Sequence, residues 1–120
     1  MTTSTLLAAT TRKILHERFP ACFAGKGKDK RPLAIGIHKQ VFEAAPDLSR
    51  RSIRLAIRDY VSGYKYLRNV RTGATRINLD GSLAGAVVSE HGDFSHKIAR
   101  RMLRTKRAKK QARPVMKVAA

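Results

Sequence analysis

The chain has 120 residues and sets 26 Lys and Arg against 8 Asp and Glu, a formal charge of +18 with a pI near 11.3. A hydrophobic share of 42% is enough for one modest core, and self-repulsion on this scale makes a polyanion the expected partner, nucleic acid ahead of an anionic membrane surface. The lone Cys22 excludes an internal disulfide and a Cys-rich zinc site, and neither a secretory leader nor an apolar run of the roughly 20 residues needed to span a membrane is read, so a soluble cytoplasmic protein is expected.

Residues 5–19 place Leu7, Ala8, Ile14, Leu15 and Phe19 on one helical face, and Pro20 stops the pattern. The following stretch, 19–31, is read as a loop; its GKGK lacks the spacing of a phosphate-binding P-loop. A second helix is expected from Pro32 through Ala45, with Leu33, Ile37, Val41 and Ala44 in register. Gly36 then falls inside that helix at a cost of about 1 kcal/mol, which calls for a compensating close contact. Ser49 is placed to cap a third helix that begins at Arg50.

That third helix carries the clearest signal. Ile53, Ala56, Ile57, Tyr60, Val61 and Tyr64 follow the spacing of a buried stripe. At about 100° per residue, Arg50, Arg54, Arg58 and Lys65 fall within a sector of roughly 80°, with Arg51 at its border. Like charges at i, i+4 cost a few tenths of a kcal/mol each without a partner. The planar guanidinium fork suits phosphate oxygens. Gly63 marks the end of the helix region. YLRNV and TRINL are then read as two strands around a turn at Gly73, with SLAGAVV returning as a third strand after the Asp80–Gly81 turn. From Asp93 a last helix is expected on a seam of Phe94, Ile98, Met102 and Leu103. It frays near Ala108 into a basic tail over 111–120, which leaves one domain at 1–110. Positive charge in this last part, from Lys97 onward, serves either solvation or unselective attraction to phosphates.

Catalysis is not read. The eight acids are scattered as caps, turns and charge partners, the four histidines form no i, i+4 pair, and Cys22 sits between Ala21 and Phe23 as a small apolar side chain. No metal and no cofactor is expected.

RPLAIGI (31–37), LSRRSIRLAIRDYVSGYKYL (48–67), GATRINLDG (73–81) and ERFPACF (17–23) occur in the order and approximate spacing in which the ProQ/FinO domain of bacterial RNA chaperones carries such blocks, and the chain resembles that family over most of residues 12–110. The resemblance implies an α+β, mostly helical domain of about four to five helices with a small β-hairpin. It implies a non-enzymatic RNA chaperone of the bacterial cytoplasm that binds terminator hairpins with single-stranded, U-rich 3′ ends, in small-RNA or antisense regulation. By the same resemblance Arg50, Arg54 and Arg58 are assigned to RNA phosphates with Lys65 extending the track, Tyr66 to the terminal nucleotide, Arg76 to its phosphate and Ser62 to a hydroxyl contact. Tyr66 as a cross-strand core residue stays open beside this.

Amides near Leu33 and Ala34, at the expected start of the second helix, add an anion site. Ala34 stands where members often have lysine, a loss that Lys30, Arg31 and Lys39 are placed to make good. The charge favours a monomer. A DNA-binding architectural protein and a ribosome-associated basic protein are the alternatives.

Overall fold

A computed structural model describes residues 3–25 and 29–111. Lys26, Gly27 and Lys28 of the GKGK loop, and the expected tail apart from Gln111, lie outside the described residues. The elements in chain order are α1 (Thr3–Arg18), α2 (Ile37–Ala44), α3 (Arg50–Val61), α4 (Tyr64–Leu67), β1 (Thr75–Ile77), β2 (Leu83–Ala86) and α5 (Ser89–Gln111). The five helices and one antiparallel hairpin of the described residues match the expected class.

The periodic apolar stripes build the core. α1 lays Ala8, Thr11 and Leu15 against α3, which contributes Ile53, Ala56 and Tyr60, and the two are clamped at the surface by a 2.7 Å ion pair between Arg12 and Asp59. Pro20 ends α1 as expected. The turn after it returns Cys22 and Phe23 to the interior, where the Phe23 ring meets Tyr60 edge-on at 5.3 Å. Burial pushes the Cys22 thiol up to about 12, so it stays a neutral packing group. At the far end of α1, Arg18 grips both oxygens of Asp47 in the turn before α3, and the Ser49 hydroxyl accepts the Ser52 N–H as the expected cap.

The second helix begins later than its spacing predicts. Pro32 to Ala34 run extended beside β1: the Ile77 N–H donates to the Pro32 carbonyl at 3.0 Å, and the Ala34 N–H donates to the Ile77 carbonyl at 2.9 Å. A proline has no N–H to lose in such an arm. Gly36, with φ 82°, then turns the chain into α2 and is not an interior helical residue. The expected close contact is absent, since a methyl group at Gly36 would meet nothing within 4 Å. The glycine is needed for its left-handed backbone.

The strand assignments shift by one run. YLRNV is not a strand: Tyr66 and Leu67 close the short α4 and the rest turns. The hairpin joins TRI to LAGA through the Asp80–Gly81 loop, where the Asp80 carboxylate accepts from both the N–H and the hydroxyl of Ser82. The third, parallel partner of this small sheet is Leu33 in the extended arm.

α5 starts at Ser89 and turns a different face inward from the one expected. Gly92, Ser95 and Ala99 are buried, while Phe94 and Met102 are exposed. Small residues let the helix close on the loop before β1. A methyl at Gly92 would collide with the hydroxyl and backbone of Thr72, with its nitrogen only 2.6 Å away. The helix continues past Ala108 to Gln111, exposed at every residue after Leu103. Among the described residues no helix is long and apolar enough to cross a membrane.

Candidate nucleic-acid interface

Positive charge stands on both flanks of α2, as a ridge of arginines on one and as Arg76 on the other. On one side, the exposed Arg50 and Arg54 hold their guanidinium groups 5.2 and 5.5 Å from the centre of the Phe42 ring. These cation–π contacts hold two long side chains against one ring, and among the described residues no hydrogen bond occupies their N–H groups. Arg58 is exposed one turn further along α3. Among the described residues none of the three has an ion pair, so the ridge is uncompensated positive charge. The exposed Lys39 lies on α2 itself.

On the other side α2 meets the hairpin through Gln40, whose side chain donates to Asn78 and accepts from the Leu79 N–H, both at 3.0 Å. Here Tyr66 and Arg76, distant in sequence, fasten to one residue of the extended arm. The Leu33 N–H donates to the Tyr66 hydroxyl at 3.1 Å, and Arg76 Nη1 donates to the Leu33 carbonyl at 2.7 Å. Arg76 Nη2 lies 3.2 Å from His91 Nδ1; because a guanidinium only donates, that ring nitrogen accepts.

Burial is the main cause that raises the Tyr66 phenol, opposed by the Leu33 N–H and by Arg76, so it remains a neutral hydroxyl. Arg76, Gln40, Asn78 and His91 line a cleft of about 530 Å³ whose mouth carries the exposed Ile35 and Leu83. A guanidinium anchored by two of its five N–H groups is oriented in advance and keeps the others for a ligand anion.

The structure thus brings some expected residues together and separates others. Tyr66 belongs to α4 and not to the hairpin, and it is buried, with its ring 5.8 Å from Tyr60. Lys65 does not extend the ridge: Gly63 has an extended backbone, α4 sets off on a new axis, and Lys65 faces the α1 side with Arg12, Lys13 and Lys30. Tyr64 leaves the α3 stripe for the same reason. Ser62 is the C-cap of α3, its hydroxyl donating to the Asp59 carbonyl at 3.2 Å. Arg31 is exposed two residues before Leu33.

The expected anion site at the Leu33 and Ala34 amides does not form, because Tyr66 and Ile77 already accept from those two groups. Phe42 and His91 were missed by the sequence reading. Phe42 had a local signal, an aromatic next to the core residue Val41 and off its stripe; His91 had none. Among the described residues no three of His, Cys, Asp and Glu gather as metal ligands would.

The profile of the ProQ/FINO family matches residues 8–113. An RNA chaperone ProQ of Shewanella oneidensis is 36% identical over 101 residues, 82% of this chain and 47% of that protein. The RNA chaperone ProQ of Shewanella frigidimarina is 37% identical over 112 residues, 88% of this chain and 55% of its own length. The chain therefore spans about half the length of the curated relatives it matches. Among solved structures, a ProQ homolog from Legionella pneumophila superposes with a TM-score of 0.68 at 24% identity, covering 78% of this chain and 81% of that one. A FinO-like RNA chaperone from Neisseria meningitidis gives 0.68 at 18% identity, covering 89% and 85%.

Proposed function

We propose that this chain, which belongs to the ProQ/FINO family, is a non-catalytic RNA-binding chaperone domain that holds the base of a structured RNA and its single-stranded 3′ end. In this reading Arg50, Arg54 and Arg58, with Lys39 beside them, face the phosphates of the stem, and the cleft at Arg76 receives the end of the tail. A-form RNA hides its base edges in a deep major groove, so a stem is recognised through phosphates and 2′-hydroxyls, and an unpaired end through whatever pocket it can enter. Tyr66 acts mainly by fixing Leu33 and thereby the guanidinium of Arg76. Arg31 stands beside the arm, and Ser62 and Arg58 share the last turn of α3. The RNA classes that fit are small or antisense RNAs that end in a terminator hairpin with a U-rich tail, met in the bacterial cytoplasm.

The observation that carries the reading is the pairing of an arginine ridge without counter-ions among the described residues and a pre-oriented guanidinium in a cleft, on the two flanks of one helix. If about five to seven phosphates are neutralised, log K for a tailed hairpin falls against log salt with a slope of magnitude about 4 to 6. Duplex DNA competes poorly, since it offers neither the A-form stem nor the free end. A slope near zero, or duplex DNA competing as well as the hairpin, overturns the reading.

A further inference from the structure

A further concentration of charge lies away from both the ridge and the Arg76 cleft. Between α1, the turn after it and the α3–α4 junction is a depression of about 680 Å³ into which Arg12, Lys13, Lys30 and Lys65 project, with Asp59 as the one carboxylate among its lining residues. That carboxylate is already engaged by Arg12 at 2.7 Å. Tyr60 forms its floor: the Lys30 ammonium sits 4.6 Å and the Arg12 guanidinium 5.3 Å from the ring centre. Lys13 and Lys65 are exposed and have no ion pair among the described residues. The Lys30 ammonium is pulled below its ordinary range by burial first and then by Arg12, with Asp59 opposing and Lys65 adding, as expected where cations are crowded without enough anions. An incoming phosphate relieves that crowding.

This depression shares no lining residue with the Arg76 cleft. Tyr60 lines the depression, and its ring lies 5.8 Å from that of Tyr66, whose hydroxyl shares Leu33 with Arg76. The Tyr60 ring is buried and already faced by two cations, which leaves no free aromatic face for a base to stack on.

From these observations we infer that the Arg12–Lys13–Lys30–Lys65 depression is a second, sequence-independent site for the phosphate backbone of an unpaired RNA strand, able to be filled while a hairpin occupies the Arg76 cleft. It rests on the reading of the chain as RNA-binding and extends it: a domain with both sites holds two strands at once, as an annealing step requires.

The test uses the full chain and two labelled RNAs, a tailed hairpin and an unstructured oligoadenylate with a 3′-terminal phosphate, at physiological salt, where screening confines charge effects to about 8 Å. The wild type saturated with hairpin is expected still to bind the oligoadenylate. Lys13→Glu with Lys65→Glu, both at exposed positions, lowers oligoadenylate affinity about tenfold or more and hairpin affinity less than about threefold, and the paired Gln substitutions give a smaller loss of the same kind. Lys97→Glu with Lys106→Glu, the same charge change on α5, lowers oligoadenylate affinity less than about threefold. Displacement of the oligoadenylate by the hairpin, or equal losses from the two charge reversals in variants with unaltered circular dichroism, overturns the second site and leaves the first reading standing. Failure of the wild type to bind either RNA overturns both.

Discussion

The ridge of α3 and the cleft at Leu33 are both basic, yet they are built in opposite ways. Arg50 and Arg54 lie on one helix, are spaced by its pitch and rest on a single ring, Phe42. Arg76 and Tyr66 come from a strand and a short helix, and they meet because both are bonded to the backbone of a third segment. A surface of the first kind tolerates change one residue at a time. The second kind fails as a unit, because each bond positions the next.

Tyr66→Phe breaks that comparison most strongly. It leaves the buried Leu33 N–H without an acceptor, a loss of about 1–3 kcal/mol. Chemical denaturation is expected to show that loss, with weaker binding of RNA ends alongside it. A denaturation midpoint unchanged from wild type contradicts the role given to the hydroxyl.

Gly36→Ala tests the same arm from its other end. A side chain in a left-handed conformation costs about 1–2 kcal/mol, and nothing nearby obstructs the methyl, so strain is the whole effect. Thermal unfolding measures it; an alanine variant as stable as wild type shows that the turn into α2 relaxes to negative φ.

The smallest effect sharpens the contrast at a surface ion pair away from both sites. The bidentate contact with Arg18 holds the Asp47 carboxyl below its ordinary range. A depressed folded-state value means that its contribution is complete above the unfolded aspartate value near 4 and is lost as pH falls through the lower folded value. Asp47→Asn is therefore expected to lower Tm slightly at pH 7 and not at all at strongly acidic pH. A difference that grows on acidification contradicts the assignment.

The same division explains what the sequence disclosed. The α3 stripe, the Ser49 cap, the stop at Pro20 and the Asp80–Gly81 turn rest on neighbours in the chain, and spacing alone reveals them. The segment from Pro32 satisfies a helical spacing too, but Ile77 captures the backbone of Pro32–Ala34 from far along the chain, and no local pattern records that pairing. Lys65 obeys the angular arithmetic of a continuous helix that Gly63 interrupts. In α5 the large apolar residues drew attention away from Gly92, Ser95 and Ala99, whose small size is what lets the helix dock. For the interface, the ridge arginines were legible as a pattern. Tyr66 and Arg76 came from family resemblance, and their shared attachment to Leu33 needed the fold.

The most direct measurement of the central claim compares one tailed hairpin ending in a 3′-hydroxyl with the same RNA ending in a 3′-phosphate, bound to the wild type, Arg54→Ala and Arg76→Ala. The wild type is expected to prefer the hydroxyl end, because the bulk of an added phosphate holds the terminal phosphodiester away from the anchored guanidinium of Arg76. Arg54→Ala weakens both RNAs alike and keeps the preference, while Arg76→Ala loses about 1–3 kcal/mol on the hydroxyl-ended RNA and with it the preference. An Arg76→Ala variant that is folded and still distinguishes the two ends as the wild type does would contradict the assignment of the cleft to the RNA terminus.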